Sequence, residues 1–321
     1  MRHLFIINPR AGKRDRSREM AELARGAMAG RGEPWKAVCT AGPGHATRLV
    51  KEAAGLGDPL RVYACGGDGT LNEVVNGAAG LDHVAVTHVP LGSGNDFLRI
   101  FGAEAVRLFQ PDRLTHGPQI RMDLIDCNGR LSLNVCSVGF DARIGFGAAK
   151  FKNLPLVSGS MAYRLSALET IARGIHLPYR VTVDGEMLPG GRFTLLCACN
   201  GRYYGGGFNP SPTARPDDGL LDFIVVPAVS RVTVLALIQK YARGKVGEIP
   251  RVILRRGREM RVLCDRTTQV NVDGELVTGT EVSVRLSEKK VWFFYPPDIL
   301  WVPTGGEVVG EHKISTPCAS L

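Results

Sequence analysis

The stretch LRVYACGGDGTLNEVVNG (Leu60–Gly77) joins an apolar run to three glycines in four positions and then to a helical pattern. Leu60–Ala64 predicts a buried strand, and Thr70 to about Asn76 predicts a helix. At such a strand-to-helix junction Gly66, Gly67 and Gly69 let backbone N–H groups approach an oxyanion closely. The helix N-terminus adds the positive end of its dipole. Asp68 puts a carboxylate inside that cradle, which suits a hard cation that in turn carries phosphate. The alternative is a tight turn with Asp68 or Thr70 as helix cap. The chain has no GxxxxGK[ST] loop and no GxGxxG fingerprint, so those two nucleotide mechanisms are excluded.

The flanking sequence repeats the pattern. Leu4–Ile7, Trp35–Cys39 and His83–Val89 read as strands, with helices around Arg16–Met28, Ala46–Ala54 and Asn95–Ile100. Strands alternating with helices predict parallel β-α units, whose ligands sit outside the carboxyl ends of the strands. Asn8-Pro9-Arg10-Ala11-Gly12-Lys13-Arg14 and Pro90-Leu91-Gly92-Ser93-Gly94-Asn95-Asp96-Phe97 are two further strand-end turns. In the second, Ser93 can donate to phosphate and Asp96 can share a metal, although Ser, Asn and Asp are also ordinary caps.

After about residue 119 the pattern changes. Arg121–Cys127 and Leu131–Ser137 flank Asn128-Gly129, a hairpin signal. Short strand-like runs follow to Tyr295, interrupted by helices at Ser160–Arg173, with Ser160 as cap, and at Arg231–Ala242. The expected architecture is therefore α/β plus all-β. It comprises a Rossmann-like three-layer domain with a parallel sheet (1–120, joined by a returning segment at 287–302) and an antiparallel β-sandwich (121–286). The cleft between them is the expected active site. The Gly/Pro/Ser-rich end, 303–321, reads as a loose tail.

With 44% hydrophobic and 22% charged residues over 321, the chain is not disordered, coiled-coil or collagen-like. No run approaches the ~18 apolar residues of a membrane span, and the N-terminus does not read as a signal peptide. The expected location is cytoplasmic. The eight cysteines show no zinc spacing, and most read as small core hydrophobes in a reducing compartment. The formal charge is +9, and Lys240–Arg261 carries a local +6. Such a patch either attracts an anionic membrane surface or is simply a solvated face. It lacks the modules of nucleic-acid binding.

Taken together these motifs resemble the diacylglycerol kinase-type lipid kinases, which include sphingosine and ceramide kinases, and most closely the soluble bacterial, YegS-like branch. NPRAG (Asn8–Gly12), GGDGTLNEVVNG (Gly66–Gly77), PLGSGNDF (Pro90–Phe97), SVGFDA (Ser137–Ala142) and GGGFNPSPTARPDDGLLD (Gly205–Asp222) carry the resemblance. Ala11 and Ser93 stand where the family usually has Ser and Thr. The resemblance implies an ATP- and magnesium-dependent kinase that phosphorylates a membrane-lipid hydroxyl, diacylglycerol to phosphatidic acid being the first expectation. It implies nucleotide contacts from Asn8, Pro9, Arg10, Ala11, Gly12, Thr40, Gly66, Gly67, Asp68, Gly69, Thr70, Leu71, Asn72 and Ser93. Asp68 and Asp96 would organise the catalytic magnesium.

The family's general base is a glutamate in a late Asp-Gly-Glu turn, which implies Glu275. Val183-Asp184-Gly185-Glu186 reads almost identically. Order along the chain favours Glu275, because the family's glutamate follows the Asp-Asp-Gly-Leu-Leu-Asp segment and Glu186 precedes it. A structural magnesium is implied at Asp218 with the carbonyls of Arg215 and Leu220, against the plain reading of an Asp-Gly turn. Asp141 reads either as facing the acceptor headgroup or as packing in a core strand. Implied partners are ATP, the lipid and, transiently, an anionic membrane surface; a homodimer through a sheet edge is compatible. Two other readings compete with it: an NAD kinase-like enzyme acting on a soluble nucleotide, and a non-catalytic, nucleotide-dependent lipid-binding module.

Overall fold

The computed structural model describes residues 1–152, 159–301 and 308–309. The first sheet forms from β1 (Arg2–Ile7), β2 (Trp35–Cys39), β3 (Leu60–Gly66), β4 (Val84–Pro90) and β5 (Gln119–Met122), with two late strands, β16 (Val291–Phe294) and β17 (Val308–Val309). Its order is β17-β5-β16-β4-β3-β1-β2. Strands β1 to β4 run parallel. β16 joins them parallel to β4, and β5 pairs antiparallel to it.

Helices α1 (Ser17–Met28), α2 (His45–Ala54) and α3 (Asp68–Ala78) are the crossovers. Right-handed connections put α1 on one face and α2 and α3 on the other, giving three layers. Chain order reverses between β1 and β3. That switch point opens a crevice at the strands' carboxyl ends, where the loops after Ile7 and Gly66 begin. The core is aromatic at its centre: Phe5 stacks on Tyr63 at 4.0 Å, and Phe294 meets Tyr63 edge-on.

The stretch read as a short helix near Asn95–Ile100 is a 3₁₀ segment, Phe97–Phe109, broken at Gly102, and it leads into α4 (Pro111–Leu114). The expected strand Arg121–Cys127 is divided. Gln119–Met122 stays in the first sheet, so the passage to the second lies beyond Met122 rather than between 120 and 121.

The second sheet is antiparallel. It contains β6 (Ile125–Cys127), β7 (Arg130–Ser132), β8 (Val135–Gly139), β9 (Leu177–Val183), β10 (Glu186–Met187), β11 (Arg192–Cys199), β12 (Leu221–Pro227), β13 (Ile253–Gly257), β14 (Glu259–Val272) and β15 (Glu275–Leu286). The β6–β7 hairpin turns at Asn128-Gly129, both at positive φ as a type I′ turn requires. A ring of pairings, β9 to β11 to β8 to β14 and back to β9, folds the sheet on itself around a buried apolar core.

Helices α5 (Phe140–Lys152), α6 (Gly159–Arg173) and α7 (Arg231–Ala242) accompany the sheet. Ser160 lies inside α6 rather than at its cap. Ser230 caps α7 by accepting from Thr233 N–H. The runs Met260–Cys264 and Val270–Val272 are one long strand with an irregularity between Leu263 and Thr268. Of the expected tail, Val308–Val309 pair with β5, and 303–307 and 310–321 lie outside the described residues. No helix among the described residues is long and apolar enough to cross a membrane.

Candidate active site

A cleft of about 960 Å³ lies between the two sheets. It gathers residues remote in sequence: Gly12, Gly67–Asn72, Ser93, Asp96, Asp141, Gly206 and Glu275 all line it. Thr40, Asn8, Arg10 and Ala11 line it too, whereas Pro9 and Gly66 do not.

Gly66 matters from beneath. Its carbonyl accepts from Leu91 N–H at 2.7 Å, from Gly92 N–H at 3.2 Å and from the buried His88 Nε2 at 3.0 Å. This one oxygen therefore ties the loop after β3 to the loop after β4. The two backbones touch, since a Cβ on Gly92 would stand 2.6 Å from Gly67 Cα. Gly12 has φ +78°, and a Cβ there would meet the Leu91 carbonyl oxygen at 2.5 Å. Only glycine allows the three turns to crowd into one concave, amide-lined surface.

Asn8 spends its side chain on the scaffold. Its amide donates to Thr70 Oγ1 at 2.9 Å, and its Oδ1 accepts from Arg10 N–H. Glu73, which sequence reasoning missed, reaches from α3 to cap α2, accepting from Gly44 and Ala46 N–H at 2.7 and 3.0 Å.

Asp68 occupies the first turn of α3, where the helix dipole favours a carboxylate. Its Oδ1 accepts from Asp96 N–H at 2.7 Å. Asp96 in turn accepts from Arg99 Nε at 3.1 Å and, across the cleft, from Gly206 N–H at 2.7 Å. Gly94 sits between the pair: a Cβ there would be 2.8 Å from Asp68 Oδ2 and 3.7 Å from Asp96 Oδ2. Burial raises both carboxyls above the ordinary aspartate value, and the neighbouring Asp68 charge raises Asp96 further. The two carboxylates repel each other; Arg99 pairs with Asp96, and Asp68 has no ion pair among the described residues. Among the described residues no group of three or more His, Cys, Asp or Glu side chains could hold a metal. Magnesium takes one or two carboxylates and fills its shell with water and substrate phosphate, and this pair fits that ion.

The Asp273-Gly274 turn between β14 and β15, both residues at positive φ, presents Glu275 at the cleft wall. Glu275 Oε2 pairs with Arg130, and its side chain is 32% exposed. The lookalike Glu186 is exposed on β10 and lies away from the cleft, while its turn residue Asp184 accepts from Arg258 and Glu259 N–H. Asp141 is not in a strand. It lies in the first turn of α5 after Gly139 (φ +109°), is half-buried at the cleft wall, and has its carboxyl raised by burial.

Arg215, Asp218 and Leu220 lie outside the cleft on the turn leading into β12. Asp218 accepts from Leu220 N–H at 3.1 Å and pairs with Arg256, which also holds Asp222. Despite that guanidinium, burial keeps the Asp218 carboxyl above its ordinary value.

Two family models match in order: the diacylglycerol kinase catalytic domain over residues 2–127, and the YegS C-terminal NAD kinase beta sandwich-like domain over 134–292. Similar proteins include a "Probable lipid kinase YegS-like" of Pseudomonas aeruginosa strain PAO1, 31% identical over 204 residues, 62% of this chain and 64% of that one. The corresponding protein of Pseudomonas savastanoi is 29% identical over 62% of this chain and 63% of its own. A diacylglycerol kinase of Mycobacterium tuberculosis is 28% identical over 55% of this chain and 58% of its own. The chain thus spans a little under two thirds of the length of these curated relatives. A crystal structure of a diacylglycerol kinase from Bacillus anthracis str. Sterne shares the fold, with TM-score 0.66, 21% identity, and coverage of 93% of this chain and 98% of that one.

Proposed function

The chain belongs to the diacylglycerol kinase-type lipid kinase family, and we propose that it transfers the γ-phosphate of ATP to the hydroxyl of a membrane lipid, diacylglycerol first among candidates. The observation that carries this reading is the meeting of three glycine turns, the Asp68–Asp96 pair and Glu275 around one cleft.

The amides of Gly12, Gly67–Gly69 and Gly92–Ser93 would position the triphosphate, and positioning with electrostatics supplies most of the acceleration in phosphoryl transfer. Asp68 and Asp96 would hold a magnesium ion, whose chemistry is to offset charge on the phosphate oxygens. Glu275 Oε1, which has no hydrogen bond or ion pair among the described residues, would take the proton of the acceptor hydroxyl. The acceptor oxygen bonds to the γ-phosphorus as the bond to the β–γ bridging oxygen breaks, leaving ADP. A second, structural magnesium would sit on the Asp218 carboxylate and the carbonyls of Arg215 and Leu220.

A kinase acting on a membrane lipid would meet it at the bilayer surface. Within Lys240–Arg261, Lys240 and Lys245 pair with Glu248, Arg261 with Glu259, and Arg256 with Asp218 and Asp222. The exposed Arg243, Arg251, Arg255 and Arg258 remain for anionic headgroups.

Incubation with ATP, magnesium and a total lipid extract, followed by mass identification of phosphorylated species, tests the proposal. A phosphorylated lipid alcohol is the expected product, and the absence of any phosphorylated lipid would refute it.

A further inference from the structure

The carboxylate two residues before Glu275 has an arrangement that neither phosphate binding nor proton transfer explains. Asp273 is half-buried at the cleft wall and faces four N–H donors. Its Oδ1 accepts from Val135 N–H at 2.8 Å. Its Oδ2 accepts from Leu133 N–H at 2.9 Å, Asn134 N–H at 3.3 Å and the Asn72 amide at 3.1 Å. Leu133 and Asn134 form the link between β7 and β8, and Val135 opens β8, in the second sheet. Asn72 belongs to α3, the helix that begins at Asp68.

One turn below, Asn76 works on the same face: its amide donates to the Leu131 carbonyl at 2.9 Å, and Leu131 N–H donates back at 3.3 Å. Asn72 also donates to that carbonyl, at 3.1 Å. The helix that begins at Asp68 and the turn carrying Glu275 are therefore joined through one half-buried side chain at the cleft wall.

We propose that Asp273 is a positioning residue that locks the Glu275 turn to the nucleotide helix through Asn72 and so fixes the distance between base and phosphate. This rests on the kinase reading above. Such a lock matters because a displacement of about 1 Å at a reacting group can cost on the order of 100-fold in rate. Asp273→Asn retains volume but turns one acceptor into a donor facing N–H groups.

Three kinetic variants and one exchange measurement test the lock. Asp273→Asn is expected to lower kcat about 100-fold while the KM for ATP changes less than about three-fold. In a Glu275→Gln background the same change is expected to cost less than about two-fold, because the group it positions is already gone. Equal losses in both backgrounds, or a parallel rise in the KM for ATP, would overturn positioning. Asn72→Ala, which removes the bond from the opposite side, gives the same non-additive pattern should Asp273→Asn fold poorly. Amide exchange at Val135 is independent of turnover and is expected to accelerate at least about ten-fold in Asp273→Asn. Unchanged exchange would overturn the lock. If the wild type phosphorylates no lipid, it is the kinase reading that fails, and Val135 exchange still decides the lock.

Discussion

The Asp68 carboxylate accepts the backbone N–H of Asp96 at 2.7 Å, so the first acidic group of the site fixes where the second can stand. Both carboxyls are raised by burial, and Asp96 also by Asp68. Asp68→Asn keeps the shape but removes the charge that a cation would answer. It should lower kcat by roughly 10²–10³-fold, the scale seen when one preorganised electrostatic group is lost, and raise the magnesium concentration needed for half-maximal rate. Titration of magnesium against initial rate measures this. An unchanged half-maximal concentration would remove Asp68 from ion binding.

Contact between the glycine loops sets a packing limit. Gly92→Ala would place a methyl 2.6 Å from Gly67 Cα, and overpacking of this kind costs about 1–3 kcal/mol. The loops must part, so nucleotide affinity measured by calorimetry should fall about ten-fold or more. Wild-type affinity in Gly92→Ala would mean that the loops do not jointly hold phosphate.

His88 lies fully buried under those loops, and burial pushes its imidazole down to about 4. An unfolded chain binds the proton near pH 6.5, before the folded one does. The neutral imidazole's stabilisation is therefore present above about pH 6.5 and lost as pH falls toward 4, at up to ~1.4 kcal/mol per pH unit. Urea midpoints at pH 7.5 and pH 5 should show lower stability at pH 5, with a shallower dependence in His88→Gln. His3, also pushed down to about 4 by burial, leaves a residual slope.

The two Asp-Gly-Glu turns separate structure from chemistry. Asp184 accepts the Arg258 and Glu259 N–H groups at 2.9–3.2 Å. Asp184→Ala should therefore lower the thermal midpoint, in keeping with about 0.5–1.5 kcal/mol for a solvent-exposed hydrogen bond, and leave kcat alone. Glu186→Gln should change neither. A large loss of kcat in Glu186→Gln would reverse the assignment of the base.

Reversing the charge of Arg255 and Arg258 should weaken co-sedimentation with anionic vesicles by about ten-fold or more, at roughly 1 kcal/mol per basic residue near the surface. Arg256→Glu should instead lower the thermal midpoint, because Arg256 is engaged with Asp218 and Asp222. Equal vesicle binding before and after reversal would assign this face to solvent.

The parallel strands and their glycine turns were legible because apolar runs, helical spacing and glycine punctuation agree around Leu60–Gly77. The 3₁₀ segment after Phe97 was not, since its break at Gly102 carries no periodicity. Asp265–Gln269 interrupts the alternation of β14, and only pairing with β15 continues that strand. In the site, Asp68, Asp96 and Glu275 stand in recognisable motifs. Asp273, Gly206 and His88 do not announce themselves. Their partners are Asn72, Asp96 and Gly66, and the first two contacts exist only once the second sheet closes over the first.

The most direct test follows the terminal phosphate of labelled ATP supplied with lipid and magnesium, then separates chloroform from water. Wild-type protein should carry label into the chloroform phase, and Glu275→Gln should lose about 10²–10⁴-fold of that rate. Label remaining wholly in the water, or undiminished transfer by Glu275→Gln, would contradict the account.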